Sequence, residues 1–137
     1  MDLTGKWTEK GPNHSRDYEF KDKGNFHRHG TSYWKEFNMT TEEEVEGTYN
    51  MKPEKGDQVL TIGLGKGKME IYVLREGKCK VAGKEQECLG LFNHNTFRTL
   101  VTPQHKIVFE LDQDHAVARV KDSAGNVTLE GLVLTKQ

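Results

Sequence analysis

Apolar and polar residues alternate with a period of two along most of this chain, and turn-forming residues interrupt the alternation about every ten positions. No stretch keeps the spacing of an amphipathic helix over a helical length. The pattern therefore predicts an all-β chain. The predicted strands are RDYEF (16–20), NFHRH (25–29) with a continuation through SYWKEF (32–37), VEGTYNM (45–51), QVLTIGL (58–64), KMEIYVL (68–74), CLGLF (88–92), TFRTLV (96–101), KIVFEL (106–111), AVARV (116–120) and VTLEGLVLTK (127–136).

Short turns join these segments in sequence, which describes an antiparallel meander. A meander of this length has two edge strands to protect, and closing it into a barrel protects both. We therefore expect one domain over residues 1–137, a closed up-and-down β-barrel of about eight to ten strands with little or no helix. In TTEEEVEG (40–47), Thr41 and Glu44 have the spacing of a capping box, but so short a stretch favours a solvated acidic loop over a helical turn.

Composition narrows the classes of partner. The 20 basic and 21 acidic residues are interspersed and give a net charge of -1, so nothing indicates binding to nucleic acid or to an anionic membrane. No apolar run is long enough to cross a bilayer, and no basic and apolar leader precedes Asp2. Hydrophobic residues make up only 34% of the chain, which predicts an interior that is small or partly polar.

The two cysteines lie in CKVAGKEQEC (79–88), which is typical of a β-hairpin. A turn at Gly83-Lys84 would place Cys79 directly opposite Cys88, close enough for a disulfide; the alternative is two reduced thiols on one face. A disulfide and the three glycosylation sequons at Asn13, Asn38 and Asn126 would favour secretion, whereas a native Met1 would indicate a cytoplasmic protein.

The opening LTGKW (3–7) resembles the Gly-x-Trp signature in the first strand of the calycin superfamily, which includes lipocalins, fatty-acid-binding proteins and avidins. No single one of these families is matched. The resemblance implies a ligand-holding barrel in which Trp7 closes one end and a basic residue from a late strand covers the indole. Such a cation contributes about 0.5 to 2 kcal/mol. Arg119 in AVARV is the expected partner, with Arg98 as the alternative.

With Trp7 facing inward, alternation predicts which side chains face the interior. They would form an aromatic pocket for a flat or elongated lipophilic ligand; the alternative is that they simply fill a narrow barrel. An inward Arg28 without a partner would favour an anionic head group. The expected ligand-binding residues are Tyr18, Phe20, Arg28, Tyr33, Phe37, Tyr49, Met51, Met69, Ile71, Phe97 and Phe109.

His27 and His29 lie on one face of a strand, about 6.5–7 Å apart, a spacing that two zinc ligands can have. One of the histidines in or beside turns, His14, His94, His105 or His115, could approach as a third ligand. Nothing in the spacing requires it, so an exposed pair is the preferred interpretation and no metal is expected. No motif of a nucleophilic or phosphate-binding enzyme is present, and we expect neither catalysis nor a cofactor.

The sequence thus favours a non-enzymatic carrier of a small lipophilic ligand such as a fatty acid or retinoid, acting as a monomer or small homo-oligomer. The alternative is a packed barrel that binds or inhibits another protein through its loops, around residues 40–46.

Overall fold

The computed structural model describes residues 2–112 and 115–137 of the chain. Ten β-strands and one short α-helix follow one another in this part of the chain. The elements are β1 (Gly5–Lys10), β2 (His14–Phe20), β3 (Asn25–Trp34), β4 (Met39–Glu54), β5 (Asp57–Gly65), β6 (Lys68–Val81), β7 (Lys84–Asn93), α1 (His94–Leu100), β8 (Lys106–Asp112), β9 (His115–Lys121) and β10 (Val127–Lys136).

Eight of the strands close into an antiparallel barrel. The first seven pair in sequence order, β10 pairs with β7, and β10 returns to β1 through the pairs Trp7↔Lys136 and Thr8↔Thr135. The predicted closed up-and-down barrel is confirmed. β8 and β9 are outside this ring, because β9 pairs with β10 and, among the residues described, β8 pairs only with β9.

Two local predictions were wrong. Residues 96–100 of the predicted strand 96–101 belong to α1, and Val101 follows the helix, because the Asn93 side chain accepts a hydrogen bond from the backbone N–H of Thr96 at 3.0 Å and caps the helix. Residues 40–47 belong to β4 rather than to a loop or a helical turn. Each of them pairs with a residue of β3, so strand pairing overrides the weak local preference of the glutamates.

The cysteine hairpin has a different register from the predicted one. Its turn is Ala82-Gly83, with φ of 51° and 79°, so Cys79 lies opposite Gln86 and Cys88 lies opposite Gly77. Alanine rarely adopts positive φ, which is why the sequence favoured a turn beginning at Gly83. The cysteines are therefore diagonal neighbours, and they are joined by a disulfide with a Cα–Cα distance of 6.0 Å.

The described chain has two hydrophobic cores. The first fills the barrel and includes Trp7, Phe20 and Leu60. The second lies outside the barrel, where α1, β8 and β9 cover the outer face of β6, β7 and β10; we call it the outer core. Phe92 and Phe109 belong to it. Glycines permit the close packing: a Cβ at Gly77 would lie 2.3 Å from the Phe109 ring, and one at Gly131 would lie 2.5 Å from the Phe92 ring.

Trp7 is buried at one end of the barrel, and its indole N–H donates to the carbonyl oxygen of Leu3 at 2.9 Å. The cation over the ring is Lys136, whose Nζ lies 4.7 Å from the ring centroid, not Arg119. Arg119 lies on β9, away from β1 in the pairing, and it forms ion pairs with Glu110 and Glu130 instead.

Candidate functional site

The structure divides the predicted ligand-binding residues into three groups. Tyr18, Phe20, Arg28, Tyr49 and Met51 belong to the barrel interior, and the first three are buried. Phe97 and Phe109 belong to the outer core. The expectation that the remaining four point inward was wrong: Tyr33, Phe37, Met69 and Ile71 are exposed.

Strand register explains these differences. In β6 it is Tyr72 that pairs with inward-facing Leu60, so its neighbour Ile71 points outward and Met69, two residues earlier, shares that outer face at 64% exposure. Tyr33 lies an even number of positions from the outward-facing residues of β3, so its side chain points outward too. Phe37 lies beyond the end of that strand in a short 3-10 turn, Lys35–Phe37.

Aromatic and aliphatic side chains fill the barrel around Trp7. The ring centroid of Phe20 lies 5.4 Å from that of Phe26 and 5.0 Å from that of Tyr49. Leu60 and Ile62 are fully buried against this cluster. The inward aromatics therefore contact one another at this level of the barrel, as expected of a narrow eight-stranded ring.

A network of charged side chains lies above the aromatic cluster. Glu9 is only 1% exposed, and its two oxygens accept hydrogen bonds from Tyr18 Oη at 3.1 Å and bond His14 Nε2 at 2.9 Å. Arg16 lies nearby, with Nη1 3.7 Å from Glu9 Oε2 and Nε 3.6 Å from Glu43 Oε1. The network thus links β1, β2 and β4 across the interior.

Arg28 is the centre of the other half of this network. Its Nε donates to Glu43 Oε1 at 3.2 Å, and its Nη1 donates to Glu70 Oε1 at 3.0 Å. Tyr72 donates its hydroxyl to the same Glu70 oxygen at 2.9 Å. Arg28 therefore has carboxylate partners within the protein, so it does not require the anionic head group of a ligand.

Burial and these partners shift the pKa values of the network. Burial raises the pKa of the Tyr18 hydroxyl, and the charge of Glu9 adds to the effect. Burial also raises the pKa of Tyr72, together with the charge of Glu70. Burial acts to lower the pKa of Arg28, but the hydrogen bond to Glu70 and the surrounding negative charge outweigh it and leave that pKa raised. Both tyrosines are therefore neutral hydrogen-bond donors at ordinary pH.

The network borders a cleft in the barrel wall. β1 pairs with β10 only at Trp7 and Thr8, whereas the earlier part of β10, up to Leu132, pairs with β9. The two strands thus diverge after Thr8, and the space between them is a cleft of about 330 Å³. We call it the β1–β9 cleft; its main lining residues are Glu9, His14, Tyr72, Leu91, Val117 and Leu132, beside the turn at Gly11 and Pro12.

The cleft combines apolar walls with one buried carboxylate. Leu91 and Leu132 pair directly across β7 and β10, and Val117 pairs with Leu132 from β9. A carboxylate offers about two acceptor sites on each oxygen, and the oxygens of Glu9 each have one close hydrogen bond. The cleft therefore presents apolar contact area together with spare acceptor capacity.

Most residues of this site were missed from the sequence. Glu9 follows Trp7 by two positions on the same strand, so alternation alone was sufficient to place it inside. Glu43, Glu70 and Tyr72 could be assigned only from the register between strands, for which the sequence carries no local signal.

A second cleft, of about 540 Å³, lies outside the barrel beside α1. There Asp57 Oδ1 lies 2.7 Å from Arg75 Nη2, and Asp57 Oδ2 accepts from Arg98 Nη1 at 2.6 Å. Both guanidinium groups also lie over the Phe97 ring, at 5.4 and 5.9 Å from its centroid. These ions bind one another and attach α1 to the β4–β5 turn, which is a structural role.

His27 and His29 lie on the outer face of β3. His27 Nε2 is 3.2 Å from Glu44 Oε1, and both histidines border a surface groove with Asp17 and Glu19. Within residues 2–112 and 115–137, no group of three or more His, Cys, Asp or Glu side chains is arranged to hold a metal ion. The histidine pair therefore belongs to an acidic surface.

No match to this chain was found among protein-family models, curated protein sequences or solved structures. The helix of the described residues is too short and too polar to span a bilayer.

Proposed function

We propose that this protein is a non-enzymatic binding protein that holds a small, largely apolar molecule in the β1–β9 cleft. The observation that carries the proposal is the juxtaposition, in one opening of the barrel wall, of the apolar Leu91, Val117 and Leu132 with the buried carboxylate of Glu9. Ligand sites in proteins typically have this composition, mostly apolar with a few placed polar groups.

The size of the cleft limits the ligand. Its volume of about 330 Å³ is near the lower end of the usual range for small-molecule sites. Because side chains fill the barrel around Phe20 and Leu60, the ligand is expected to be smaller than a fatty acid or retinoid. A hydroxyl or amino group on the ligand would donate to Glu9, since that carboxylate can only accept while it is ionised.

The calycin resemblance supports the same role. A closed barrel with Gly5 and Trp7 in the first strand and a cation over the indole is compatible with that superfamily, whose members are ligand-holding barrels. We include in this proposal that the protein is a member of the calycin superfamily, that it acts in transport and that it is secreted. Apolar burial would drive binding, at about 25 cal/mol per Å² of area removed from water.

Titration with aminoanthracene, a neutral fluorescent aromatic amine, tests the proposal. We expect its emission to rise on binding and to fall when small apolar alcohols or amines displace it. Val117→Phe places a larger ring in the cleft and should weaken binding roughly tenfold, since overpacking of this kind costs about 1–3 kcal/mol. Ile71→Phe, an enlargement on the exposed outer face of β6, is the matched control and should leave the affinity unchanged.

The proposal would be overturned if aminoanthracene does not bind, or if both enlarged variants bind it as tightly as the wild type. Circular dichroism and thermal unfolding of both variants show that the barrel is intact. A loss of binding seen only in Val117→Phe, with an unchanged fold, supports the cleft as the site.

A further inference from the structure

The hairpin formed by β3 and β4 extends past the neighbouring strand β5. β3 pairs with β4 from Met39 to Thr48, but β5 pairs with β4 only from Thr48 to Glu54. In the described part of the chain, residues 39–47 of β4 therefore have a strand partner on one side only. We call this segment the open edge. Unpaired backbone N–H and C=O groups on such an edge are a template for another strand.

Exposed apolar side chains cluster at the turn that begins the open edge. Phe37 is 73% exposed, and Tyr33, Trp34 and Met39 are each exposed by more than two fifths. Two of these side chains are fixed by hydrogen bonds: Trp34 Nε1 donates to Thr41 Oγ1, and Tyr33 Oη donates to Asn38 Oδ1, both at 3.0 Å. An ordered, exposed group of aromatics is typical of a binding surface, because little side-chain freedom remains to be lost.

The charges along the open edge define what fits it. Glu42, Glu44 and Glu46 alternate along the exposed face of β4, and Asp17 and Glu19 lie two strands away on the same face of the sheet. A second copy of this chain pairing through the same edge would bring glutamates against glutamates, which is unfavourable. An anionic membrane would be repelled for the same reason. Lysine and arginine side chains would instead be attracted.

We propose that the open edge binds an extended, basic segment of a partner protein by strand addition. The partner's backbone would pair with residues 39–47, its basic side chains would face the glutamates, and an apolar residue would contact Trp34 and Phe37. This inference is independent of ligand binding in the β1–β9 cleft. It gives a structural basis to the interaction role that the sequence left open for residues 40–46.

An alternating lysine–valine peptide as long as the open edge is the probe. We expect it to bind with an affinity that falls as salt rises, to change the emission of exposed Trp34, and to slow hydrogen exchange of amides in residues 39–47. The same peptide methylated on alternate backbone nitrogens should bind at least about tenfold more weakly, because it cannot complete the ladder. An alternating glutamate–valine peptide should not bind.

Charge reversal provides the matched variants. Glu42→Lys/Glu44→Lys/Glu46→Lys should weaken binding of the basic peptide by about tenfold or more, since it turns three attractive cross-strand charge pairs into repulsive ones. The control variant Glu76→Lys/Glu85→Lys/Glu87→Lys makes the same change in net charge at exposed glutamates of β6 and β7. It should weaken binding of the basic peptide by less than about threefold. Thermal unfolding of both variants checks their folds.

Several outcomes would overturn the proposal. If backbone methylation does not matter, or if both charge-reversed variants lose affinity equally, the peptide binds by general electrostatics. If amides of residues 39–47 exchange equally fast with and without peptide, the edge is not paired. If sedimentation shows that the chain dimerises through Trp34 and the open edge, the occupant is a second copy rather than a basic partner.

Discussion

The barrel interior and the outer core use opposite faces of β6, β7 and β10, and they differ in what they bury. The interior combines aromatic rings with ions, such as Glu9 and Arg28, that pair across the barrel. The outer core is apolar and contains the Cys79–Cys88 disulfide, and ion pairs lie at its margin around Asp57. The comparison indicates that the interior is arranged for polar contacts near an opening, whereas the outer core mainly covers the sheet.

Removing one large aromatic ring from each region should distinguish the barrel interior from the outer core most clearly. Phe20→Ala and Phe92→Ala each delete a fully buried ring, and each should lower the free energy of unfolding by about 3–5 kcal/mol. We expect Phe20→Ala to speed hydrogen exchange throughout the barrel strands. Phe92→Ala should speed it first in α1, β8 and β9, since its ring packs 5.6 Å from that of Phe97. Identical exchange patterns would show that the two cores are one cooperative unit.

The disulfide should stabilise the outer core. It closes a loop between residues nine positions apart, for which the chain-entropy treatment gives about 2–3 kcal/mol. Cys79→Ala/Cys88→Ala should lower stability by this amount in urea unfolding. Adding reductant should destabilise the wild type and leave the variant unchanged. A reductant effect of equal size in both proteins would contradict the assignment.

The ion network of the interior can be tested at Arg28. Arg28→Met leaves the carboxylates of Glu43 and Glu70 without their guanidinium partner and should cost about 2 kcal/mol, since both carboxylates retain some contact with water. Adding Glu70→Leu removes one of the stranded charges, so the double variant should be more stable than Arg28→Met alone. Urea unfolding of both variants measures the difference. A less stable double variant would show that losing the acceptor of the Tyr72 hydroxyl costs more than removing the stranded charge gains.

Alkaline pH should weaken the interior. The pKa values of Tyr18 and Tyr72 are raised above the ordinary 10.0 by burial and by Glu9 and Glu70. A raised folded-state pKa means that the neutral tyrosines contribute stability below pH 10.0, and that this contribution is lost as pH rises above 10.0. Tyr72→Phe should make stability fall less steeply above pH 10.0. An unchanged slope would contradict the burial of that hydroxyl.

Acid should have the smallest effect and act outside the barrel. The hydrogen bond with His94 lowers the pKa of Glu54 below the ordinary 4.5, against the opposing effect of burial, and Arg98 lowers it further. A lowered folded-state pKa gives stability that is present above pH 4.5 and is lost as pH falls below it. Glu54→Gln should reduce the loss of melting temperature on acidification. Exchange at α1 amides, measured at the same pH values, should report the change first.

The barrel could be predicted because β1 to β4 bury one face only, and alternation is visible in such strands. In β7 the alternation disappears: the residues from Cys88 to Phe92 are all buried, since both faces are covered. Sequence reasoning therefore recognised a strand there but not the outer core. Phe109 was assigned to the interior for the same reason. Nothing about an apolar residue in a strand indicates whether it packs inside the barrel or in the outer core.

The candidate site was less predictable than the fold. Trp7 fixes the parity of β1, and Tyr18 and Phe20 follow it across the hairpin, so these residues were placed inside correctly. Arg119 was misplaced because the chain order of the strands differs from their order around the ring. The cleft depends on where β1 leaves β10, which is a property of pairing between distant segments rather than of any local pattern.

The shared edge of β10 has a consequence for how the chain is made. This strand seals the ring through Lys136 and also supports β9, so neither layer can be completed before it is available. During synthesis, the barrel would remain open and the outer face of β7 would remain uncovered after residues 5–121 have been made, until β10 is available. We therefore expect the nascent chain to depend on chaperones until residue 136 has left the ribosome, with ring closure as the late and slow step.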